Sequence, residues 1–128
     1  MSKQTLETIL NELAHVVVKE VLFAKELKRK FRADYIIYFE NNTFLKGIIV
    51  EYNGLNFQNS NNSRHTNAMG FIKDMEKLNI ATQLGYLILQ YNVKSLEDPS
   101  TVKNQILGIL NYYDKEIALI PDYDKPLF

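Results

Sequence analysis

The hydrophobic positions of the chain follow two periods, one typical of helices and one typical of strands. Residues 5–14 carry apolar side chains at the spacing of one helical face, although the β-branched run that follows leaves the helix end open. Residues 21–28 alternate in polarity and predict a strand. Residues 31–39 and 44–52, which are rich in aromatic and β-branched side chains, predict two more strands. The first half of the chain therefore predicts a helix followed by three strands.

The second half of the chain alternates between the two periods. Residues 66–84 predict a helix that Gly85 ends, and 86–91 is a short apolar run typical of a buried strand. Pro99 suits the first position of a further helix, whose apolar face contains Val102, Ile106, Ile109 and Leu110. Because the strand after the long helix can return parallel, this order predicts an α/β fold with a mixed central sheet flanked by helices.

Composition narrows the class of protein. A chain of 128 residues with 46% hydrophobic side chains is sufficient for one domain, predicted here over 1–128 with 116–128 as a candidate extended arm. Fifteen basic and fifteen acidic residues cancel, which argues against polyanion binding by bulk charge but leaves room for a local basic patch. The absence of cysteine excludes disulfides, thiolate zinc sites and cysteine nucleophiles. No membrane span and no signal peptide are predicted, so the expected location is the cytoplasm.

Two carboxylates share one face of the predicted sheet. If Asn41 and Asn42 form the tip of a tight hairpin, Asp34 lies opposite Ile49. Alternation then makes Glu51 a diagonal neighbour of Asp34, at about 7–8 Å between backbones. Such oxygen ligands suit Mg²⁺ or Mn²⁺. Two interpretations stay open at this point, a metal site and the ordinary polar face of a half-exposed sheet.

The helix over residues 66–84 has two stripes of interest. The predicted core stripe contains Phe71, Ile72, Met75, Leu78 and Thr82. The opposite stripe contains Gly70, Asp74, Lys77 and Ala81. Its small residues would allow close approach to another backbone, so Lys77 could point into a site. The alternative is an Asp74–Lys77 ion pair on a solvated face.

Candidate DNA contacts lie on either side of the carboxylates. The basic run includes Lys28, Arg29, Lys30 and Arg32, and it directly precedes Asp34. Such a run is usually a solvated surface, but beside a metal site it could follow a DNA backbone. Arg64 and His65 follow an asparagine-rich loop over 54–63, just before a helix N-terminus where anions are favoured. His65 could bind phosphate or act as a base there, and the alternative is a side chain in solvent, which is the commonest case.

Three segments of the chain, which together cover roughly residues 20–92, form a recognisable series. The segments are Phe23-Ala-Lys-Glu26-Leu with Arg29-Lys-Phe-Arg-Ala-Asp34-Tyr, then Ile49-Val-Glu51-Tyr-Asn53-Gly54, and then Ser63-Arg-His65-Thr with Gly70, Asp74, Lys77, Ala81 and Gly85-Tyr86. In this order they resemble a group of small PD-(D/E)XK endonucleases, many of them from phages, which are similar in style to very-short-patch repair and Holliday-junction-resolving enzymes.

The resemblance implies a restriction-endonuclease-like core and metal-dependent hydrolysis of DNA, including structure-specific cleavage of branched DNA in phage recombination. It implies that Asp34 and Glu51 are ligands of Mg²⁺ or Mn²⁺. Glu26 would support the metal, and His65 would act near the scissile phosphate. The family motif has lysine where this chain has Asn53, so Asn53 would be a weaker ligand and Lys77 would supply the displaced cationic group. A homodimer in the host-cell cytoplasm is also implied.

Two competing hypotheses remain from the sequence. Asn53 and the neutral net charge favour a catalytically degenerate nuclease fold that binds nucleic acid or protein without cutting. A structural or inhibitory phage protein that uses the same fold as an interaction platform is the other, with the proline-containing tail as its binding element.

Overall fold

The computed structural model describes residues 3–14, 16–54 and 64–115, apart from the side chains of 64–67 and 114–115. The predicted order of helix, three strands, helix, strand and helix is confirmed. None of the described helices is both long enough and apolar enough to cross a bilayer. The elements are α1 (Lys3–Leu13), β1 (Val17–Leu22), β2 (Arg32–Tyr38), β3 (Gly47–Asn53), α2 (Arg64–Gln83), β4 (Tyr86–Asn92) and α3 (Pro99–Leu110).

The four strands form one mixed sheet in the order β1-β2-β3-β4. β1 and β3 run antiparallel to β2, whereas β4 pairs parallel to β3. The parallel return after the long helix is therefore confirmed, and so is the mixed α/β class. α2 provides the connection that a parallel pair requires.

Helices cover both faces of this sheet. α1 and α3 pack on one face, where Leu6, Leu10 and Ile106 are fully buried with Ile37 and Ile48 of the sheet. The opposite face is smaller, and its buried members are Phe23, Ala24, Ala33, Ile36, Ile49, Ala81 and Tyr86. Glu51 follows Ile49 and Val50, which lie on the second and first faces, so alternation places Glu51 on the second face, where it meets Lys77 of α2. Asp34 is reached from the other side, by Lys3 of α1.

The predicted strand over residues 21–28 is wrong in its position. β1 begins at Val17 and ends at Leu22, and Lys25–Leu27 is a short 3₁₀ turn. Lys28 has a φ of 58°, which extended backbone does not allow. Phe23 and Ala24 are consecutive, yet both turn into the core, where they are 6% and 0% exposed. The alternating burial of a strand therefore does not continue past Leu22.

The predicted two-residue hairpin between β2 and β3 is also wrong. Tyr35 pairs with Val50, and the ladder continues to a hydrogen bond from the Phe39 amide to the Lys46 carbonyl, 3.0 Å. The side chain of Asn42 explains the wider connection, because it accepts hydrogen bonds from the amides of Phe44 and Leu45 at 2.8 and 2.9 Å. The register is displaced by two residues and places Asp34 opposite Glu51 instead of Ile49.

The predicted core face of α2 is wrong, because the opposite face of the helix packs on the sheet. Phe71, Met75 and Leu78 are 67%, 56% and 36% exposed, whereas Ala81 is fully buried against the sheet. The small side chain of Ala81 permits the close approach of helix and sheet. Lys77, on the same stripe as Ala81, extends to Glu51 and places a positive charge beside a carboxylate that is only 13% exposed.

Candidate functional site

The side chains of Asp34 and Glu51 link β2 to β3, because each accepts a hydrogen bond from the backbone of the other strand. The Asp34 amide donates to Oε2 of Glu51 at 3.1 Å, and the Tyr52 amide donates to Oδ2 of Asp34 at 2.9 Å. These bonds replace backbone bonds at the point where β2 and β3 begin to separate. The two carboxylates are only 15% and 13% exposed. Each is therefore fixed in position by a backbone donor of the opposite strand.

Two lysines from two different helices reach this pair. Nζ of Lys3, at the beginning of α1, lies 3.3 Å from Oδ1 of Asp34. Lys77 of α2 forms an ion pair with Oε1 of Glu51. The structure thus brings Lys77 to the carboxylates, as the stripe opposite the apolar residues suggested, and Lys77 does not lie on a solvated face.

The two carboxylic acids have different affinities for a proton. Burial raises the pKa of Glu51 above its ordinary value, and Asp34 adds to this, although Lys77 and the Asp34 amide oppose it. Burial acts in the same direction on Asp34. There, however, the Tyr52 amide, Glu51 and Lys3 together hold the pKa below its ordinary value. A proton shared by the pair therefore resides on Glu51.

The donor set suits a hard divalent cation. Magnesium is commonly held by one or two carboxylates together with water and substrate phosphate. Oε1 of Glu51 is buried and accepts no hydrogen bond, and its partner is the ammonium group of Lys77. Over residues 3–14, 16–54 and 64–115, no group of three or more histidine, cysteine or acidic side chains suits a metal. A cation at this point would have two carboxylate ligands, Asp34 and Glu51.

Comparison of the chain with protein-family models, curated proteins and solved structures gives no match. The chemical interpretation of the site therefore depends on its residues and their geometry.

A pocket of about 470 Å³ opens beside Asp34 on the α1 side. Glu7 of α1 lies in it, paired with Lys19 of β1 at 2.6 Å. Glu20 also lines the pocket with a φ of 53°, a backbone conformation that residues with side chains rarely adopt. Sequence reasoning missed Glu7, Glu20 and Lys3. Lys3 and Glu7 lie one helical turn apart on α1, and Glu20 lies in β1 between two residues that pair with β2. Neither arrangement gives a local sequence signal for a site.

Glu26 is not brought to the carboxylate pair. Its Oε1 lies 3.1 Å from Nζ of Lys46, which directly precedes β3. Lys46 and Glu51 are five residues apart along extended chain, a distance of about 16 Å. Asn53 is closer, two residues beyond Glu51 on the same face at the exposed end of β3, where it pairs with Asn92. The predicted support of a metal by Glu26 therefore has no basis in the geometry.

The basic run divides into two kinds of residue. Arg29 forms an ion pair with Glu76 of α2, and its guanidinium carbon lies 4.6 Å from the centre of the Phe31 ring. Arg29 therefore connects the segment between β1 and β2 to α2. Lys28, Lys30 and Arg32 are exposed. They are available to a polyanion at the start of the strand that carries Asp34. The side chains of Arg64 and His65 lie outside the described residues.

We expect the affinity for Mn²⁺ to rise as the pH increases through the raised pKa of Glu51. Burial raises the pKa of Glu51 above 4.5, and a protonated carboxyl is a poor metal ligand, so the affinity increases as that proton leaves. Calorimetric titration at several pH values measures it. Glu51→Gln has no proton to lose at this position and should show a weak, nearly constant affinity. An affinity of the wild type that does not change with pH would contradict the assignment.

Proposed function

We propose that this protein is a metal-dependent DNA endonuclease of the PD-(D/E)XK type, which hydrolyses phosphodiester bonds. The observation that carries the proposal is the juxtaposition of Asp34 and Glu51 on neighbouring strands with Lys77 of α2 at the same point. Two carboxylates on neighbouring strands and one ammonium group beside them are the side chains that this chemistry requires.

Each of these residues has a distinct role in the proposal. Asp34 and Glu51 hold Mg²⁺ or Mn²⁺, with Asn53 as an additional oxygen donor at the end of β3. When bound, the cation lowers the pKa of a water molecule and stabilises negative charge on the phosphate. Lys77 orients the attacking water or offsets the negative charge that develops on the phosphate oxygens. It thereby replaces the lysine that the family motif has at Asn53.

The exposed basic side chains before Asp34 support DNA as the substrate. Lys28, Lys30 and Arg32 precede Asp34 and would contact DNA phosphates, which fix a duplex in register without reading its sequence. We propose cleavage of branched DNA, such as a four-way junction, during phage recombination as the activity, in the cytoplasm of the host cell. Arg64 and His65 complete the proposed DNA-binding set.

A second candidate is a nuclease fold that binds nucleic acid or a protein without cutting. The observation that favours it is that Lys3 and Lys77 already pair with both carboxylates. The positive charges of these lysines balance the negative charges of Asp34 and Glu51 without a metal ion. In addition, Asn53 lacks the positive charge of the lysine that the family motif has at this position. In this alternative the four side chains stabilise the end of the sheet.

Incubation of the wild-type protein with labelled four-way junction, duplex and single-stranded DNA tests the proposal. We expect cleavage with Mg²⁺ or Mn²⁺ and none with EDTA, with the junction cut fastest. Gel-shift assays with Ca²⁺ on the same DNAs measure binding separately. Binding without cutting would favour the second candidate, and neither binding nor cutting would refute both nucleic-acid functions.

A further inference from the structure

The middle of α2 presents apolar side chains to solvent. Within the described part of the chain, four large exposed residues lie on one side of this helix, and we refer to them as the α2 apolar surface. They are Phe71, Ile72, Met75 and Leu78, with exposed fractions of 67%, 56%, 56% and 36%. Met69 is also exposed, but it lies nine residues from Leu78, which is about two and a half helical turns, and so points the opposite way. Monomeric proteins rarely expose more than a few hundred Å² of contiguous apolar surface.

The part of α2 before Lys77 extends beyond the sheet. Lys77 lies at Glu51, near the end of β3, so the residues that precede Lys77 pass the end of that strand. A Cβ atom added at Gly70 would meet nothing within 4 Å, which shows that the inner side of the helix has no neighbour there among the described residues. The exposure of Phe71, Ile72 and Met75 thus follows from the position of the helix.

We infer that the α2 apolar surface is a self-association interface that packs against the same surface of a second copy of the chain. Phe71, Met75, Leu78 and Thr82 are separated by four, three and four residues, the spacing of a seam between two packed helices. Such an isologous contact closes as a dimer, since each copy offers the same patch.

The area of the surface is close to what a dimer requires. A fully exposed large side chain has about 200 Å², so the four exposed fractions amount to about 430 Å². A standard interface buries about 800 Å² on each partner, and in homodimers about 65% of the buried area is apolar. The α2 apolar surface therefore supplies most of the apolar area of one half of such an interface.

The charges around the surface also favour a second copy. Lys73 and Asp74 are exposed beside the apolar residues and have opposite signs. Two antiparallel copies can place opposite charges together, whereas a nucleic acid would require a basic surface. The net charge of zero adds no repulsion between copies. The inference holds whether or not the protein cleaves DNA.

Sedimentation velocity of the full chain over a range of concentrations is the first test. We expect a species of twice 14.9 kDa for the wild type. Phe71→Glu should weaken dimerisation by at least about tenfold, since aromatic anchors dominate interfaces. Phe44→Glu is the matched control, because Phe44 is 79% exposed and lies outside α2, and it should leave the dimer intact. Circular dichroism establishes that both variants are folded.

Cross-linking tests the position of the interface without loss of apolar surface. The chain contains no cysteine, so one introduced cysteine reports a single site. Met75→Cys should form a disulfide-linked dimer on mild oxidation, and Phe44→Cys should not. A wild type that stays monomeric at the highest concentration would overturn the inference. Equal weakening by Phe71→Glu and Phe44→Glu, or equal cross-linking at Met75 and Phe44, would do the same.

Discussion

Glu51→Gln is expected to reduce metal-dependent DNA cleavage by about a thousandfold or more. The substitution keeps the size of the side chain and an oxygen that can accept a hydrogen bond from the Asp34 amide. It removes the negative charge that a divalent cation requires, and the loss of metal stabilisation amounts to several kcal/mol, with each 1.4 kcal/mol giving a factor of ten. Initial rates of cleavage of a labelled four-way junction in Mg²⁺ measure the effect.

Glu26→Gln is the matched control for this substitution. It makes the same chemical change at a glutamate that pairs with Lys46, far from Asp34, and the rate should stay within about twofold of the wild type. Lys77→Ala should lower the rate by about a hundredfold while the protein still binds Mn²⁺. If Glu51→Gln cut as fast as Glu26→Gln, the carboxylate pair would not be the active site.

Gly47→Ala is expected to lower the free energy of unfolding by about 3 kcal/mol. Gly47 begins β3 opposite Tyr38, and a Cβ atom there would overlap the carbonyl oxygen of Ile37 and lie 3.0 Å from Cα of Tyr38. Both contacts are with backbone, which cannot move aside as a flexible side chain can. β2 and β3 would therefore have to separate next to Ile48, which is fully buried. Urea denaturation followed by circular dichroism measures the change.

Gly108→Ala provides the comparison for this prediction. Gly108 lies inside α3, where a Cβ atom would meet nothing within 4 Å. Alanine there should raise the free energy of unfolding by about 0.5–1 kcal/mol, because glycine loses more backbone entropy in a helix. Opposite signs for the same substitution at the two glycines are the expected result. A Gly47→Ala protein as stable as the wild type would show that the β2–β3 pairing differs from the one described.

The sequence by itself determined the order of the elements and the mixed sheet, because these depend on local periodicity and local caps. α3 begins where predicted since Pro99 suits its first turn and Asp98 accepts a hydrogen bond from the Thr101 amide at 3.3 Å. The register of β2 and β3 was not predicted correctly, because the Asn42 side chain supports a wider connection than the predicted two-residue hairpin.

Only the tertiary structure decided which side chains meet at the site. Lys3 reaches Asp34 across 31 positions of sequence, and Glu26 is drawn away to Lys46, through contacts that no local pattern records. α2 has an apolar stripe that predicted the wrong inner face. Its orientation is set by the fit of Ala81 against the sheet and by the ion pair of Lys77 with the poorly exposed Glu51. Periodicity identifies the faces of a helix, but the partner that the helix packs against determines which face lies inside.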